Sequence, residues 1–289
     1  MAVTKAITSC TPYVNSSSKV DKWDIEMKYE NGSEGDATYY TNTFTTTVPQ
    51  TDDDGIGGVA LIQSMGDDLT IVNAARASLD QISTEMGERE ERLSNFLIRS
   101  GHTSTTEHNV LTFWIKVPMF VARQQMRHRT FSYNEISRRY TSEKLEFYFP
   151  QEVRKQDVKN RQASLDETFN PIIEYNPYDY PKFLRLDAVS AIKNHVADSV
   201  RLYNQMIDKG VAREQARMVL PQNIYTTYWA TGSLHNWVNS FISKRDHKDA
   251  QWEIKLLARE ISRQISEVFP LAHANFVKHD KIPALDSPL

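Results

Sequence analysis

The chain has 289 residues, of which 40% are hydrophobic, and it contains 13 Tyr, 12 Phe and 5 Trp. This composition can build a sizeable core in one large domain or two. A net charge of −3 and a sequence pI near 6.3 argue against a general nucleic-acid binder or a protein of the membrane surface. No apolar run approaches the roughly 20 residues of a membrane span, and the N-terminus lacks a secretory signal pattern. We therefore expect a cytoplasmic protein with no membrane or nucleic-acid partner.

The first 58 residues differ in composition from the rest, because they are rich in Thr, Ser, Asn, Asp and Gly. Asn31-Gly32 can turn a hairpin between 23–30 and 37–48, and disorder is the equal alternative. The sequence therefore predicts an N-terminal extension of unknown role over 1–58 and a main domain over 59–289.

The main domain begins with alternating helix and strand patterns. The predicted elements are a strand over 59–64, a helix capped by Asp67 or Asp68, an amphipathic helix over 86–100 ended by Gly101, and a half-buried strand over 109–117.

Between the second helix and the second strand lies a polar segment, Gly101-His102-Thr103-Ser104-Thr105-Thr106-Glu107-His108. Its two histidines are six positions apart in a Thr-rich loop, without the i, i+4 spacing of helical metal ligands. We therefore predict no metal site here; a capped helix start or a turn is the structural alternative.

A helix opened by Pro118 then runs to about Met126 and brings Gln124 and Arg127 onto one face. The following residues, 127–139, are the densest set of anion-binding groups in the chain, with five Arg or His side chains. Arginine fits phosphate bidentately, and serine hydroxyls can donate to the same oxygens. This pattern predicts an anionic ligand, with a solvated charge cluster as the alternative. We expect 132–140 to be irregular chain that is free to bind that ligand.

The remaining elements are mainly helical. They are a charged excursion over 151–183 with a short helix, a long helix over 184–209 ended by Gly210, and a helix over 211–220 presenting Arg213 and Arg217, followed by a strand over 225–231, a helix that begins at about 233 and is ended by residues 244–247, and a last helix over 249–268.

The order of residues from 127 to 140 is long and specific: Arg127-His128-Arg129-x-x-Ser132-x-Asn134-x-x-Ser137-x-Arg139-Tyr140. It resembles the signature of the flavin-dependent thymidylate synthases. Further blocks resemble the family in the same order, between about Val59 and Glu267; they are 65–68, 74–78, 101–104, 121–124, 217–221 and 245–254.

The resemblance implies a reaction and an architecture. The family makes dTMP from dUMP, with methylenetetrahydrofolate as carbon donor, FAD as mediator and NADPH as reductant. It implies small-molecule partners, a homotetramer with active sites between subunits, and an α+β fold with a central, largely antiparallel sheet flanked by helices.

The resemblance also implies roles for individual residues. Arg245 resembles the family arginine that acts on the uracil ring, where its charge can stabilise developing negative charge. The implied dUMP site is Gln124, Arg127, Glu135, Ile136, Ser137, Arg138, Arg139, Arg217 and Arg245. The implied FAD site is Ser78, His102, Ser104, Arg127, His128, Arg129, Glu135, Ser233, His235 and Asn239.

The family does not use an enzymic cysteine, and Cys10 is the one cysteine in this chain. It lies in a polar N-terminal segment and can form neither an internal disulfide nor a cysteine-based metal site. The sequence therefore predicts synthesis of dTMP without a cysteine nucleophile.

Two departures from the family pattern stand out. Many members have Asn-x-Arg facing FAD where this chain has Ser233-Leu234-His235, so that Asn239 is a candidate to supply an amide contact. Arg138 stands where smaller residues are common.

Two other classes of protein remain as alternatives. One is a nucleic-acid-binding or structural protein that uses 127–139 as an anion patch, which needs a broader basic surface. The other is a different flavoenzyme, such as a folate-dependent nucleic-acid methyltransferase.

Overall fold

The chain folds around an antiparallel sheet whose strands come from distant parts of the sequence. The computed structural model describes residues 23–25, 44–46, 57–139, 145–150, 153–161, 163–175 and 184–288. The strands are β1 (Trp23–Ile25), β2 (Phe44–Thr46), β3 (Gly58–Met65), β4 (Val110–Pro118), β5 (Ser132–Glu135), β6 (Val153–Gln156), β7 (Ser164–Phe169), β8 (Ile172–Tyr175), β9 (Leu184–Asp187) and β10 (Tyr225–Ser233).

The helices surround this sheet and follow the predicted order closely. They are α1 (Asp68–Arg76), α2 (Glu88–Ser100), α3 (Met119–Gln125), α4 (Ala188–Asp208), α5 (Arg213–Ala216), α6 (Ser243–Arg245), α7 (Trp252–Val268) and α8 (Pro270–Lys278), with a π-helix over Asn236–Ile242. In the described residues, no helix is both long and apolar enough to cross a bilayer.

The central sheet has the strand order β3-β4-β10-β5, and each neighbouring pair is antiparallel. Strand β10 is paired on both sides, since Trp229 lies opposite Trp114 of β4 and Asn134 of β5. Strand β4 alternates from Phe113 onwards as predicted, because Phe113 and Ile115 are fully buried whereas Trp114 and Lys116 are half-buried; Thr112 is buried as well. The predicted α+β fold is therefore confirmed.

The core lies between this sheet and the helices that follow β10. The ring of Trp237 packs edge-on against Phe113 and Phe131, with centroids 4.8 and 4.5 Å away. Gly232 of β10 faces the ring of Phe131, and a Cβ there would lie 2.5 Å from that ring. A side chain at position 232 would therefore force this packing apart.

Helix α7 closes the edge of the sheet at β3. The amide of Gln264 donates to the Val59 carbonyl at 3.0 Å and accepts from the Leu61 N–H at 2.7 Å. The side chain thus satisfies backbone groups that an edge strand leaves unpaired. Asp68 at the start of α1 accepts from the N–H groups of Leu271 and Ala272 and so caps α8, a helix that the sequence patterns did not predict.

Two predictions for the middle of the chain are wrong. Residues 132–135 are not irregular but form β5, because the free edge of β10 supplies the hydrogen bonds and Tyr133 packs near Tyr228, with ring centroids 6.1 Å apart. The short helix expected within 151–183 is absent from the described residues of that range, which form strands instead. The pairs β6–β7 and β8–β9 are antiparallel, and the latter delays the start of α4 to Ala188.

For the predicted hairpin near the N-terminus, the structure describes only residues 23–25 and 44–46, which lie in its two strands. Trp23–Ile25 pairs with Phe44–Thr46 in antiparallel register, whereas the predicted Asn31-Gly32 turn lies outside the described residues. Tyr140, the last residue of the signature, and Cys10 also lie outside them.

Candidate active site

A cleft of about 700 Å³ opens beside the end of α3, the end of β5 and the segment that follows α5. We call it the arginine cleft. It is lined by Met119, Arg123, Met126, Arg127, Glu135, Ile136, Arg138, Glu214, Arg217, Met218, Leu220, Pro221, Gln222, Ile224, Tyr225 and Thr226. Four guanidinium groups and an apolar floor in one cleft suit a ligand that is anionic at one end and flat or apolar at the other.

The arginine cleft brings together five residues of the predicted nucleotide set, although they come from segments up to about ninety positions apart. They are Arg127, Glu135, Ile136, Arg138 and Arg217. The other predicted members, Gln124, Ser137, Arg139 and Arg245, do not line it. Arg139 pairs instead with Glu214 on the rim, at 3.6 Å, and its N–H donates to the Ser137 hydroxyl at 3.3 Å.

Two polar groups of the cleft are held by the first residues of β10. The hydroxyl of Thr226 donates to the Glu135 carboxylate at 2.5 Å, and the Arg138 guanidinium donates to the Tyr225 carbonyl at 3.3 Å. Burial lowers the pKa of Arg138 from its usual range. Strand β10 thus fixes one carboxylate and one cation at the cleft wall.

A second cluster, the Arg245 cluster, consists of Arg245, His128, Gln124 and Ser240. Arg245 lies at the end of α6 and donates from Nε to His128 Nε2 at 2.9 Å and from Nη2 to the Gln124 carbonyl at 3.2 Å. Because Nε2 accepts, His128 is neutral and carries its proton on Nδ1, which faces the Ser240 hydroxyl at 3.4 Å. The cluster therefore orients a permanently charged guanidinium against a neutral imidazole.

The two groups of residues meet through Arg127. Burial lowers the pKa of Arg245, and the positive charge of Arg127 lowers it further, so these two guanidinium groups lie close enough to interact. The side chain of Gln124 is hydrogen-bonded to Gln251, and Gln251 donates to Glu253 at 2.8 Å. The start of α7 thus holds Gln124 beside Arg245.

We expect His128 to make stability depend on pH. Burial, followed by the charges of Arg245 and Lys244, lowers the pKa of His128 to about 4 from 6.5. Below pH 6.5 the unfolded chain binds a proton at this residue that the folded chain does not, so the free energy of unfolding falls as the pH drops from 6.5 towards 4. The loss between pH 7.5 and pH 5 should be about 2 kcal/mol from this residue.

Urea unfolding of wild type and the His128→Gln variant at pH 7.5 and pH 5 measures this contribution. Glutamine can accept from Arg245 but does not titrate, so the variant should lose less stability on acidification. The exposed His108 gives the matched control, His108→Gln, which should follow wild type. Equal losses in wild type and His128→Gln would refute the assignment.

The predicted flavin residues are partly gathered around a small hollow of about 140 Å³. Its lining includes His102, Thr103, Asn239 and Lys281 over an apolar floor. The Asn239 amide lies 3.1 Å from His235 Nδ1, which adds a third predicted residue. The structure thus brings His102, His235 and Asn239 together.

The other predicted flavin residues do not line this hollow. Ser233 is half-buried and accepts from the Asn236 N–H at 3.2 Å, and His128 belongs to the Arg245 cluster. The remaining positively charged or hydroxyl-bearing members are solvent-exposed; they are Ser78, Ser104, Arg127 and Arg129.

Several residues of these clusters were not predicted. Thr226, Gln222 and Met218 line the arginine cleft, and Gln251 binds Gln124. Met218 and Gln251 lie within sequence blocks that resemble the family, which is a signal that could have drawn attention to them. Nothing in the local pattern marks Thr226, since its role depends on the pairing of β5 with β10. Among the described residues, no group of His, Cys, Asp and Glu side chains could hold a metal ion.

Comparison with known proteins gives consistent matches over most of the chain. Residues 60–271 match the family model described as thymidylate synthase complementing protein. A flavin-dependent thymidylate synthase of Thermus thermophilus is 41% identical over 227 residues, which cover 77% of this chain and 76% of the relative. One from Thermosipho africanus is 36% identical over 225 residues, covering 77% and 91%.

A solved structure also matches. It is a UMP/dUMP methylase PolB from Streptomyces cacaoi bound with 5-Br dUMP, with a TM-score of 0.63 and 28% identity. The match covers 78% of this chain and 97% of that one.

Proposed function

The chain belongs to the thymidylate synthase complementing protein family, and from this we propose that it converts dUMP to dTMP with a flavin as mediator. The family predicted from the sequence is thereby confirmed. In the proposed reaction, dUMP, methylenetetrahydrofolate, NADPH and a proton give dTMP, tetrahydrofolate and NADP⁺. The C5–H of uracil becomes C5–CH₃; folate supplies the carbon and NADPH the two electrons.

The observation that carries this proposal is the convergence of arginines from separate segments on one cleft, one of which, Arg127, carries a charge that acts on Arg245. We assign the phosphate of dUMP to Arg127 and Arg217, which line the arginine cleft and come from separate segments of the chain. Charge-assisted hydrogen bonds from guanidinium groups to phosphate are short and strong. Arg138, with one N–H committed to the Tyr225 carbonyl, adds a third fixed positive charge to the same cleft.

The uracil ring is assigned to the side of the cleft that faces Arg245 and Gln124. C5 of uracil becomes nucleophilic as negative charge builds up on the pyrimidine, and part of that charge lies on the ring oxygens and nitrogens. A guanidinium that is already oriented by His128 and the Gln124 carbonyl can stabilise that charge without reorganising. Because His128 is held neutral, it does not add a second positive charge that would repel Arg245.

The residues around the small hollow fit part of a flavin. Its apolar floor of Leu97, Ile98 and Phe276 suits a ring system, and His102 and Asn239 offer polar contacts at the edge. FAD, when bound, supplies reversible two-electron chemistry that no side chain here provides. Arg129 and Arg127 would meet its phosphates with exposed positive charges.

The hollow is too small for a whole dinucleotide, and six of the predicted flavin residues are exposed on this chain, namely Ser78, His102, Ser104, Arg127, Arg129 and Glu135. Met218, which lines the arginine cleft, is 73% exposed. These features agree with a homotetramer in which a second subunit completes each site. Light scattering should then give a mass near four times 33.3 kDa, and a monomeric enzyme with full activity would exclude shared sites.

The absorbance spectrum of the purified protein with FAD, recorded before and after dUMP, tests the proposal. Flavin bands that shift on addition of dUMP would place both ligands at one site, and dTMP formation with methylenetetrahydrofolate and NADPH completes the test. UMP and NADH are assayed in parallel as competing substrate and reductant. A protein that binds no flavin under any condition would overturn the proposed function in favour of an anion-binding protein.

Replacement of the chain's one cysteine should leave the reaction unchanged. Cys10→Ser removes the one thiol in the sequence, so a mechanism that uses Arg245 and a flavin predicts a kcat within about twofold of wild type. Initial rates of dTMP formation measure this. A loss of more than tenfold would reinstate a cysteine nucleophile.

A further inference from the structure

A buried ion pair lies directly after Arg245. Asp246 follows it in the chain, and its side chain is only 2% exposed. Its two carboxylate oxygens accept from Arg259, at 2.6 Å from Nε and 2.8 Å from Nη2. This is the bidentate geometry in which an arginine fork holds a carboxylate most firmly.

Arg259 is itself fixed from two sides. It lies on α7, where the adjacent Ala258 and the nearby Ile261 are fully buried. Its remaining amino group, Nη1, donates to the carbonyls of Ser287 at 2.7 Å and Leu285 at 3.3 Å. The guanidinium therefore has little freedom to release Asp246.

Arg245, by contrast, donates to neutral acceptors in the described part of the chain. Its partners are the His128 ring and the Gln124 carbonyl, and no carboxylate of the described residues forms an ion pair with it. Consecutive Cα atoms are about 3.8 Å apart, so the Asp246 carboxylate could reach Arg245 if it were released.

We infer that Arg259 is a positioning residue that holds the Asp246 carboxylate away from Arg245 and so keeps the Arg245 guanidinium available to the substrate. This inference rests on the proposed function, because it concerns the residue assigned to the uracil ring. The helix that ends in α6 fixes the backbone of Asp246, whose N–H donates to the Ile242 carbonyl at 2.8 Å, and the bidentate contact with Arg259 fixes the direction of its side chain.

A cycle of three variants separates this role from simple structural support. Arg259→Gln frees the carboxylate and should lower kcat for dTMP formation by about tenfold or more, because Asp246 then competes for Arg245. Asp246→Asn keeps Arg245 available and should cost less than about threefold. The double variant D246N/R259Q should recover most of the activity that Arg259→Gln loses, since it has no free carboxylate.

If Arg259 only supports the fold, the double variant should be no better than Arg259→Gln, and that result would overturn the inference. Thermal unfolding and the flavin spectrum of each variant establish that it is folded and loaded. The exposed Arg201 on α4 gives the control Arg201→Gln, which should keep wild-type kcat. A wild-type protein that forms no dTMP would refute the proposed function itself, an outcome distinct from failure of the cycle.

Discussion

Arg245→Ala should keep its flavin but lose dTMP formation by about a hundredfold to a thousandfold in kcat. The guanidinium is the one group of the Arg245 cluster that is charged, since His128 is held neutral and Gln124 contributes its carbonyl. Its removal leaves the developing charge on uracil without a partner. Flavin content is expected to be unchanged, because the residues around the small hollow do not include Arg245.

Single-turnover rates and the flavin absorbance of the same preparation measure both expectations. Arg245→Lys provides a second variant, which keeps the charge but cannot donate in the same geometry to both acceptors, and it should fall between alanine and wild type. Lys248→Ala, at an exposed position three residues later, is the control. Wild-type turnover by Arg245→Ala would remove this residue from the mechanism.

Arg127→Ala should lose flavin and nucleotide together. Arg127 lines the arginine cleft, its charge acts on Arg245, and the family resemblance also assigns it to FAD. Loss of its charge-assisted hydrogen bonds should weaken dUMP binding by about a hundredfold. Because its side chain is exposed rather than part of the core, the fold should survive.

The ratio of flavin to protein absorbance and the dUMP affinity by calorimetry test these two losses separately. Arg213→Ala gives the matched control, since Arg213 is an exposed arginine that does not line the cleft. A purified Arg127→Ala protein that stays yellow and binds dUMP normally would show that the residue is wrongly placed.

Two pairs of residues, Gln124 with Arg127 and Arg213 with Arg217, show what spacing along the chain can predict. Gln124 and Arg127 were expected on one face of a helix, and the structure has α3 end between them at Gln125. The backbone of Gln124 binds Arg245, and its side chain turns to Gln251. Arg217 was predicted to share a helix face with Arg213, yet only Arg217 lines the cleft. Helical spacing identifies neighbours on a surface but not the cavity that this surface faces.

The sequence by itself determined the family, the chemistry and most elements of this protein. The signature over 127–140 is a linear pattern, and α7 and β4 are marked by the spacing of their buried residues, which can be read within each segment. A single cysteine in a polar segment likewise disfavoured a thiol mechanism without any structure.

Only the tertiary structure decided which of these groups lie together. β5 is a strand because β10 offers it an edge, and Arg245 meets His128 across 117 positions of sequence. The Asp246–Arg259 pair joins the end of α6 to α7. These contacts depend on the packing of elements that are distant in sequence, and local propensity and spacing contain no information about such packing.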